Sequence, residues 1–99
     1  MSSLKQIQTE NRRLYILKFL QVAQGYRMSD MLLQTQLTAL GYGAGLDVVR
    51  GDIDWLEQQG LVTTDRPVDT MTIAIITNHG VDVACGVAYV TGIARPRPE

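Results

Sequence analysis

The sequence has few of the residues that metal and disulfide chemistry require. Its 99 residues include one cysteine, Cys85, and one histidine, His79. A single cysteine cannot form an intramolecular disulfide, and neither residue has a second partner for a metal site of ordinary spacing. With one imidazole in the whole chain, no nucleophile–base pair stands out. We therefore expect a non-enzymatic protein without cofactor or metal, and the cysteine usage favours a reducing, cytoplasmic setting.

Long apolar runs and a strong charge of either sign are also missing. No apolar stretch approaches the roughly 20 residues that span a bilayer, and the polar start does not resemble a secretory signal, so no membrane association is expected. The formal net charge is −1, which is unlike a polycationic chain that coats nucleic acid. The charge is uneven, since residues 1–45 hold five basic and two acidic residues, whereas residues 46–82 hold two basic and seven acidic residues.

Hydrophobic periodicity is present and describes one small domain. Apolar residues make up 45% of the chain, enough for one core. Their spacing predicts helices over residues 4–23, 29–40 and 46–59, strands over 61–64 and 71–77 joined by a turn at 65–69, and a last helix over 80–85. We expect a shared core of eight residues: Leu14, Leu17, Leu20, Leu37, Val49, Ile53, Leu56 and Leu61.

The order of these elements is that of a winged helix. Three helices followed by a two-stranded β-wing and a short C-terminal helix form an α+β, mostly helical domain, in which the hairpin closes the open end of the helical core. We place this domain at residues 1–86. Residues 87–99 are expected to form a C-terminal tail that is partly apolar, then rich in arginine and proline, and flexible.

Two motifs carry a resemblance to the winged helix-turn-helix superfamily. Residues 56–62, Leu-Glu-Gln-Gln-Gly-Leu-Val, resemble the end of a recognition helix and the start of a wing, and residues 76–80, Ile-Thr-Asn-His-Gly, resemble the step out of the wing. The whole chain is similar to small uncharacterised winged-helix proteins of Mu-like phages and prophages, on residues 10–17, the Leu33-Gln34 step and the Arg-Pro-rich end. The resemblance implies a DNA-binding protein, such as a transcriptional regulator or DNA-handling factor, whose third helix enters the major groove.

Four arginines are the candidate contacts to double-stranded DNA. Arg50 lies on the third helix and Arg66 in the wing, while Arg95 and Arg97 would act as a flexible arm. The third helix also carries four acids (Asp47, Asp52, Asp54 and Glu57), which oppose phosphate contact. Arg50 has an alternative role as a surface partner of Asp54, four residues later. The acidic helix leaves a second hypothesis open, a protein–protein interaction module with a phage or host partner.

The basic residues of the first helix and one aromatic residue of the third have structural interpretations. Arg12, Arg13 and Lys18 are typical of a solvated helix face. Trp55 is expected to anchor the edge of the core.

A surplus of apolar surface favours a homodimer. In the first helix Tyr15, Ile16 and Phe19 form a second stripe beside the core arc. In the second strand Ile73 and Ile75 point away from the face that carries its other apolar residues. A small domain cannot cover both, so we expect Tyr15, Phe19, Ile73 and Ile75 at a two-fold interface, unless the apolar tail covers them.

Overall fold

The protein, described for residues 3–97 in a computed structural model, contains the predicted elements and one additional strand. The elements are α1 (Leu4–Val22), a 3-10 turn (Gln24–Tyr26), β1 (Arg27–Ser29), α2 (Asp30–Ala39), α3 (Leu46–Gln58), β2 (Val62–Val68), β3 (Met71–Ile76) and α4 (Asn78–Ala84). The strands form an antiparallel sheet in the order β1-β3-β2. This is a winged helix, as predicted. No helix in the described part is long and apolar enough to cross a membrane.

Side-chain caps start three of the helices. The hydroxyl of Ser3 accepts from the N–H of Gln6 at α1, and Ser29 accepts from Leu32 at α2. Thr77 does the same for α4, where its hydroxyl accepts from the N–H three residues later. Each cap satisfies a backbone donor that the first helical turn leaves without a partner. The sequence prediction of caps at residues 29–30 and 77–78 is therefore confirmed.

The predicted core is confirmed in full. All eight expected residues are buried in one cluster, which also contains Ile16, Leu33, Val62, Ala74, Ile76, Val83, Ala84 and Ile93. The prediction for α1 was wrong at its edges. Ile16, assigned to a second surface stripe, is fully buried, whereas Leu4 and Ile7, assigned to the core arc, are 71% and 45% exposed. The first turns of α1 extend past the core, and no other element covers them there.

The wing is longer than the sequence predicts. The turn expected at residues 65–69 is wrong, because β2 continues to Val68 and the chain reverses at residues 69–70. Pro67 suggested the turn, but a register shift between Asp65 and Val68 accommodates it. Since β2 is an edge strand, Pro67 removes no hydrogen bond from a central strand. β1 was also missed, as its three residues are too few to show a period.

The two motifs of the resemblance meet each other in the fold. The hydroxyl of Thr77 donates to the carbonyl of Gly60 at 2.8 Å, and its N–H donates to the carbonyl of Leu61 at 3.0 Å. A Cβ atom on Gly80 would lie 2.2 Å from that same Leu61 oxygen. The end of α3 and the start of α4 therefore pack backbone to backbone, and the motif residues Gly60, Leu61, Thr77 and Gly80 form this contact.

The tail returns along α1. Ile93 is buried in the core, and the N–H of Ala94 donates to the carbonyl of Glu10 at 3.2 Å. Gly92 has a φ of +103°, and a Cβ there would lie 2.8 Å from the ring of Trp55. The flexibility expected for residues 87–99 stays a prediction, and its last two residues lie outside the described chain.

Candidate nucleic-acid interface

One strip of α3 faces outward. It consists of Asp47, Val48, Gly51, Asp54 and Gln58, all exposed, and we call it the α3 strip. These positions recur at helical spacing opposite the buried residues of the same helix. Open space surrounds Gly51 where a side chain would stand. The strip is therefore shallow at its centre and acidic on both sides.

Arg50 lies beside the strip and is bound to the rest of the domain. Its Nε donates to Oδ2 of Asp30 at 2.6 Å, and its Nη2 donates to the carbonyl of Thr70 at 2.6 Å. Asp30 is fully buried, whereas the Arg50 side chain is 38% exposed. The alternative pairing of Arg50 with Asp54 is wrong. Arg50 instead connects α3 to the start of α2 and to the turn of the wing.

The carboxylate of Asp30 has further donors. It accepts from the N–H of Met31 at 2.8 Å and from the N–H of Thr72 at 3.3 Å. Its burial is thus matched by one guanidinium and two backbone hydrogen bonds, as a buried charge requires. The wing is held at one orientation to α3 through this carboxylate.

Arg66 makes the second link between the wing and α3. Its Nη2 lies 3.3 Å from Oδ1 of Asp54, and its Nη1 donates to the hydroxyl of Thr64 at 3.2 Å. That hydroxyl in turn donates to the carboxylate of Glu57 at 2.8 Å. Arg66 and Asp54 are both more than half exposed, so their pair contributes little stability in water. Arg66 can therefore exchange Asp54 for another anion at small cost.

Asp52 is not part of the exposed surface. It is buried against α1, where it pairs with the guanidinium of Arg12 and, at 3.2 Å, with that of Arg13. The interpretation of these two arginines as a solvated face is wrong, because their side chains are 13% and 19% exposed. A buried carboxylate needs cationic partners, and residues 40 and 39 positions away supply them. The exposed acids of α3 are consequently the other three, Asp47, Asp54 and Glu57.

Trp55 occupies the edge of the core, as expected. The guanidinium carbon of Arg13 lies 4.0 Å from the centre of the Trp55 ring, a cation–π contact. Nη1 of Arg13 also donates to the carbonyl of Gly92 at 3.1 Å. Arg13, Asp52 and Trp55 therefore join α1, α3 and the tail.

The other two candidate arginines lie in a different place. Arg95 and Arg97 line a cleft between the tail and α1, together with Lys18. The guanidinium carbon of Arg95 is 4.3 Å from the centre of the Tyr89 ring. The four predicted DNA contacts thus form two groups, Arg50 and Arg66 at α3 and the wing, and the tail pair at α1.

The expected dimer residues also divide into two groups. Tyr15 and Phe19 are half-buried on α1, with ring centres 6.2 Å apart, and Tyr15 packs 5.3 Å from the ring of Tyr42. Ile73 and Ile75 are half-buried on the outward face of the sheet, opposite the buried side of β3. Tyr15 and the tail line the same cleft. The homodimer stays a prediction.

The lone histidine and cysteine lie on the surface. His79 is exposed near the start of α4, and Cys85 is exposed, with the amide nitrogen of Gln21 3.0 Å from its Sγ. Among residues 3–97 there is no cluster of three or more side chains able to hold a metal ion.

Relatives of this chain occur in phage and bacterial sequences. It is 43% identical over 93 residues to the uncharacterised protein gp26 of Escherichia phage Mu. This alignment covers 94% of this chain and 95% of that protein. It is 36% identical over 77 residues to an uncharacterised protein of Haemophilus influenzae, covering 78% of this chain and 74% of that protein. No family model matches the chain.

Two solved structures of H. salinarum RosR share its fold. RosR grown from NaBr superimposes with a TM-score of 0.65 at 17% identity. The superposition covers 75% of this chain and 66% of that RosR chain, just under two thirds of its length. The complex structure named hsRosR-S1 gives a TM-score of 0.61 at 15% identity, covering 85% of this chain and 67% of that one. At these identities the likeness shows the fold alone.

Proposed function

Because the chain belongs to the same family as gp26 of Escherichia phage Mu and folds as a winged helix, we propose that it is a non-enzymatic, duplex-DNA-binding protein of phage or prophage origin. Its role would be in transcription regulation or DNA handling in the cytoplasm. The resemblance to proteins of Mu-like phages, inferred from the sequence, is confirmed by this relationship. The binding itself is argued from the surface of α3 and the wing.

The observation that carries the proposal is the rigid joint between α3 and the wing. Arg50 holds both to Asp30, so the α3 strip and β2 keep one relative orientation. Winged-helix proteins place these two elements on the major groove and the flanking backbone. At the centre of the strip, Gly51 lets the helix backbone approach the bases, and the exposed Val48 offers methyl groups suited to the methyl group of thymine.

Charge limits the strength of this contact. Asp47, Asp54 and Glu57 remain exposed on or beside the strip, where they would repel a phosphate. Arg66 is the cation best placed to contact one. If Arg50, Arg66 and the two tail arginines all reached phosphates, log affinity would fall against log salt with a slope of roughly −3 to −4. We therefore expect binding that is measurable at low salt and weak at physiological salt.

A salt titration against random duplex DNA tests the proposal. Arg66→Gln should weaken binding to all sequences alike and reduce the slope by about one unit. Arg27→Gln is the matched control, because Arg27 is similarly exposed and pairs with Asp65 at 3.3 Å, but on the outward face of the sheet. Asp47→Asn with Asp54→Asn should raise non-specific affinity for DNA, since both carboxylates are exposed on the α3 strip.

A protein–protein interaction module is the second candidate. The exposed carboxylates of the α3 strip and the exposed Val48 would suit a basic partner from phage or host. Complete absence of duplex binding at low salt, in a sample shown to be folded, would defeat the DNA proposal and favour this module.

A further inference from the structure

The basic side chains differ in whether they have a carboxylate partner. Five arginines (Arg12, Arg13, Arg27, Arg50 and Arg66) form ion pairs with aspartates. The other four basic residues, Lys5, Lys18, Arg95 and Arg97, have no such partner among residues 3–97. Three of these four line the same cleft, which concentrates uncompensated positive charge at one place.

This cleft lies between α1 and the tail and has a volume of about 310 Å³. Lys18, Arg95 and Arg97 share its wall with Asn11 and Tyr15, and none of the acidic side chains within residues 3–97 lines it. One N–H of the Asn11 amide donates to the carbonyl of Ile7, so the donors that remain for a ligand are its second N–H, the cations and the tyrosine hydroxyl. We call it the α1–tail cleft.

The structure positions one cation of the cleft, Arg95, in advance. Buried Ile93 and the backbone bond from Ala94 to α1 fix the tail directly before Arg95. The ring of Tyr89 supports the guanidinium of Arg95 from one face, which leaves its N–H groups in the plane available. Lys18 is half-buried on α1. Three like charges held together repel one another, and an anion bound between them would remove that repulsion.

We propose that the α1–tail cleft binds a phosphate group of a nucleic-acid backbone. The proposal rests on the proposed function and deepens it, by placing a phosphate contact on α1 and the tail in addition to the α3 strip. A lysine ammonium beside two planar arginine guanidinium groups suits the charged oxygens of a phosphodiester. The strongest cationic contact of the protein would then lie away from its acidic third helix, which explains how a chain with that helix can hold DNA.

A triple variant tests the cleft. Lys18→Gln with Arg95→Gln and Arg97→Gln should reduce the salt slope of DNA binding by about 0.9 units, the value for one phosphate contact. Lys5→Gln is the control, since Lys5 is an uncompensated cation on the same helix outside the cleft. The triple variant should stay folded and melt close to the parent, because the like-charge repulsion that it removes offsets the lost contact of Arg95 with the Tyr89 ring. A slope equal to that of the control would overturn the cleft while leaving Arg66 and the proposed function intact.

Chemical shifts of the backbone amides distinguish the source of the phosphate. A short single-stranded oligonucleotide should produce saturable shifts around Lys18 and Arg95 in the parent and none in the triple variant, whether or not duplex binds at the α3 strip. Inorganic phosphate is compared with chloride at equal ionic strength. Saturation by inorganic phosphate with no response to the oligonucleotide would mean a site for free phosphate and would contradict the backbone contact. No saturable response to either probe would also contradict the proposal.

Discussion

Replacing Arg50 separates its structural role from a role in reading DNA. In Arg50→Gln the carboxylate of Asp30 stays fully buried and keeps two backbone donors, but it loses the guanidinium that pairs with it. Removing one partner of a buried ion pair costs about 3–5 kcal/mol. Because Arg50 itself is 38% exposed, water screens part of this pair, and we expect a smaller loss, about 2–3 kcal/mol. For a domain of this size that lowers the melting temperature by roughly 10–20 °C.

Urea unfolding of a double-mutant cycle provides the assay. Asp30→Asn removes the buried charge, so the double variant should lose less stability than the sum of the single variants, by about 1 kcal/mol or more. Additive losses, or an Arg50→Gln protein that unfolds like the parent, would refute the view that this pair holds the wing. If folded Arg50→Gln protein instead loses discrimination at a single base pair, by about 1–3 kcal/mol, Arg50 reads DNA directly.

Three further measurements test the core, a close backbone contact and the assembly. Ile53→Ala and Leu56→Ala should each cost about 2–5 kcal/mol in urea unfolding, and parent-like melting of both would contradict the placement of α3. Gly80→Ala should destabilise by about 1–3 kcal/mol or more, because its Cβ would lie 2.2 Å from a carbonyl oxygen, while Gly51→Ala, in open space on a helix, should stabilise by about 0.5–1 kcal/mol. Equal effects would contradict the packing at α4. A homodimer should sediment at micromolar concentration with twice the chain mass, and a monomer would leave the tail as the cover for the apolar stripe of α1.

Local signals predicted the elements that depend on neighbours in the sequence. The helical spacing from Val49 to Leu56 identified the buried side of α3, and the hydroxyls of Ser29 and Thr77 marked two helix starts. Where such spacing ran over a dozen residues, the structure has the helix that it predicted, although Leu4 and Ile7 at the start of α1 lie outside the core. β1 has only three residues, and it is a strand because β3 lies beside it, so no local period could reveal it.

The sites were less predictable, because a charged residue does not specify its partner. Asp52 and Asp54 look alike in the sequence, yet one is buried between two arginines of α1 and the other is half exposed beside the wing. Helical spacing does place Asp52 on the buried side of α3 with Ile53, and this signal could have assigned its side chain to the interior. Nothing local indicates that Lys18 and the tail arginines share a cleft.

The sequence by itself determined the four helices, two of their caps, the existence of a two-stranded wing and eight core residues, since these follow from the short-range periodicity of apolar and capping residues. Only the tertiary structure decided which charges are neutralised and which stay available. Arg50 has Asp30 as its partner from 20 residues away, and Arg12 has Asp52 from 40. The energy of an ion pair depends on distance and burial in space, and both are properties of the packed chain.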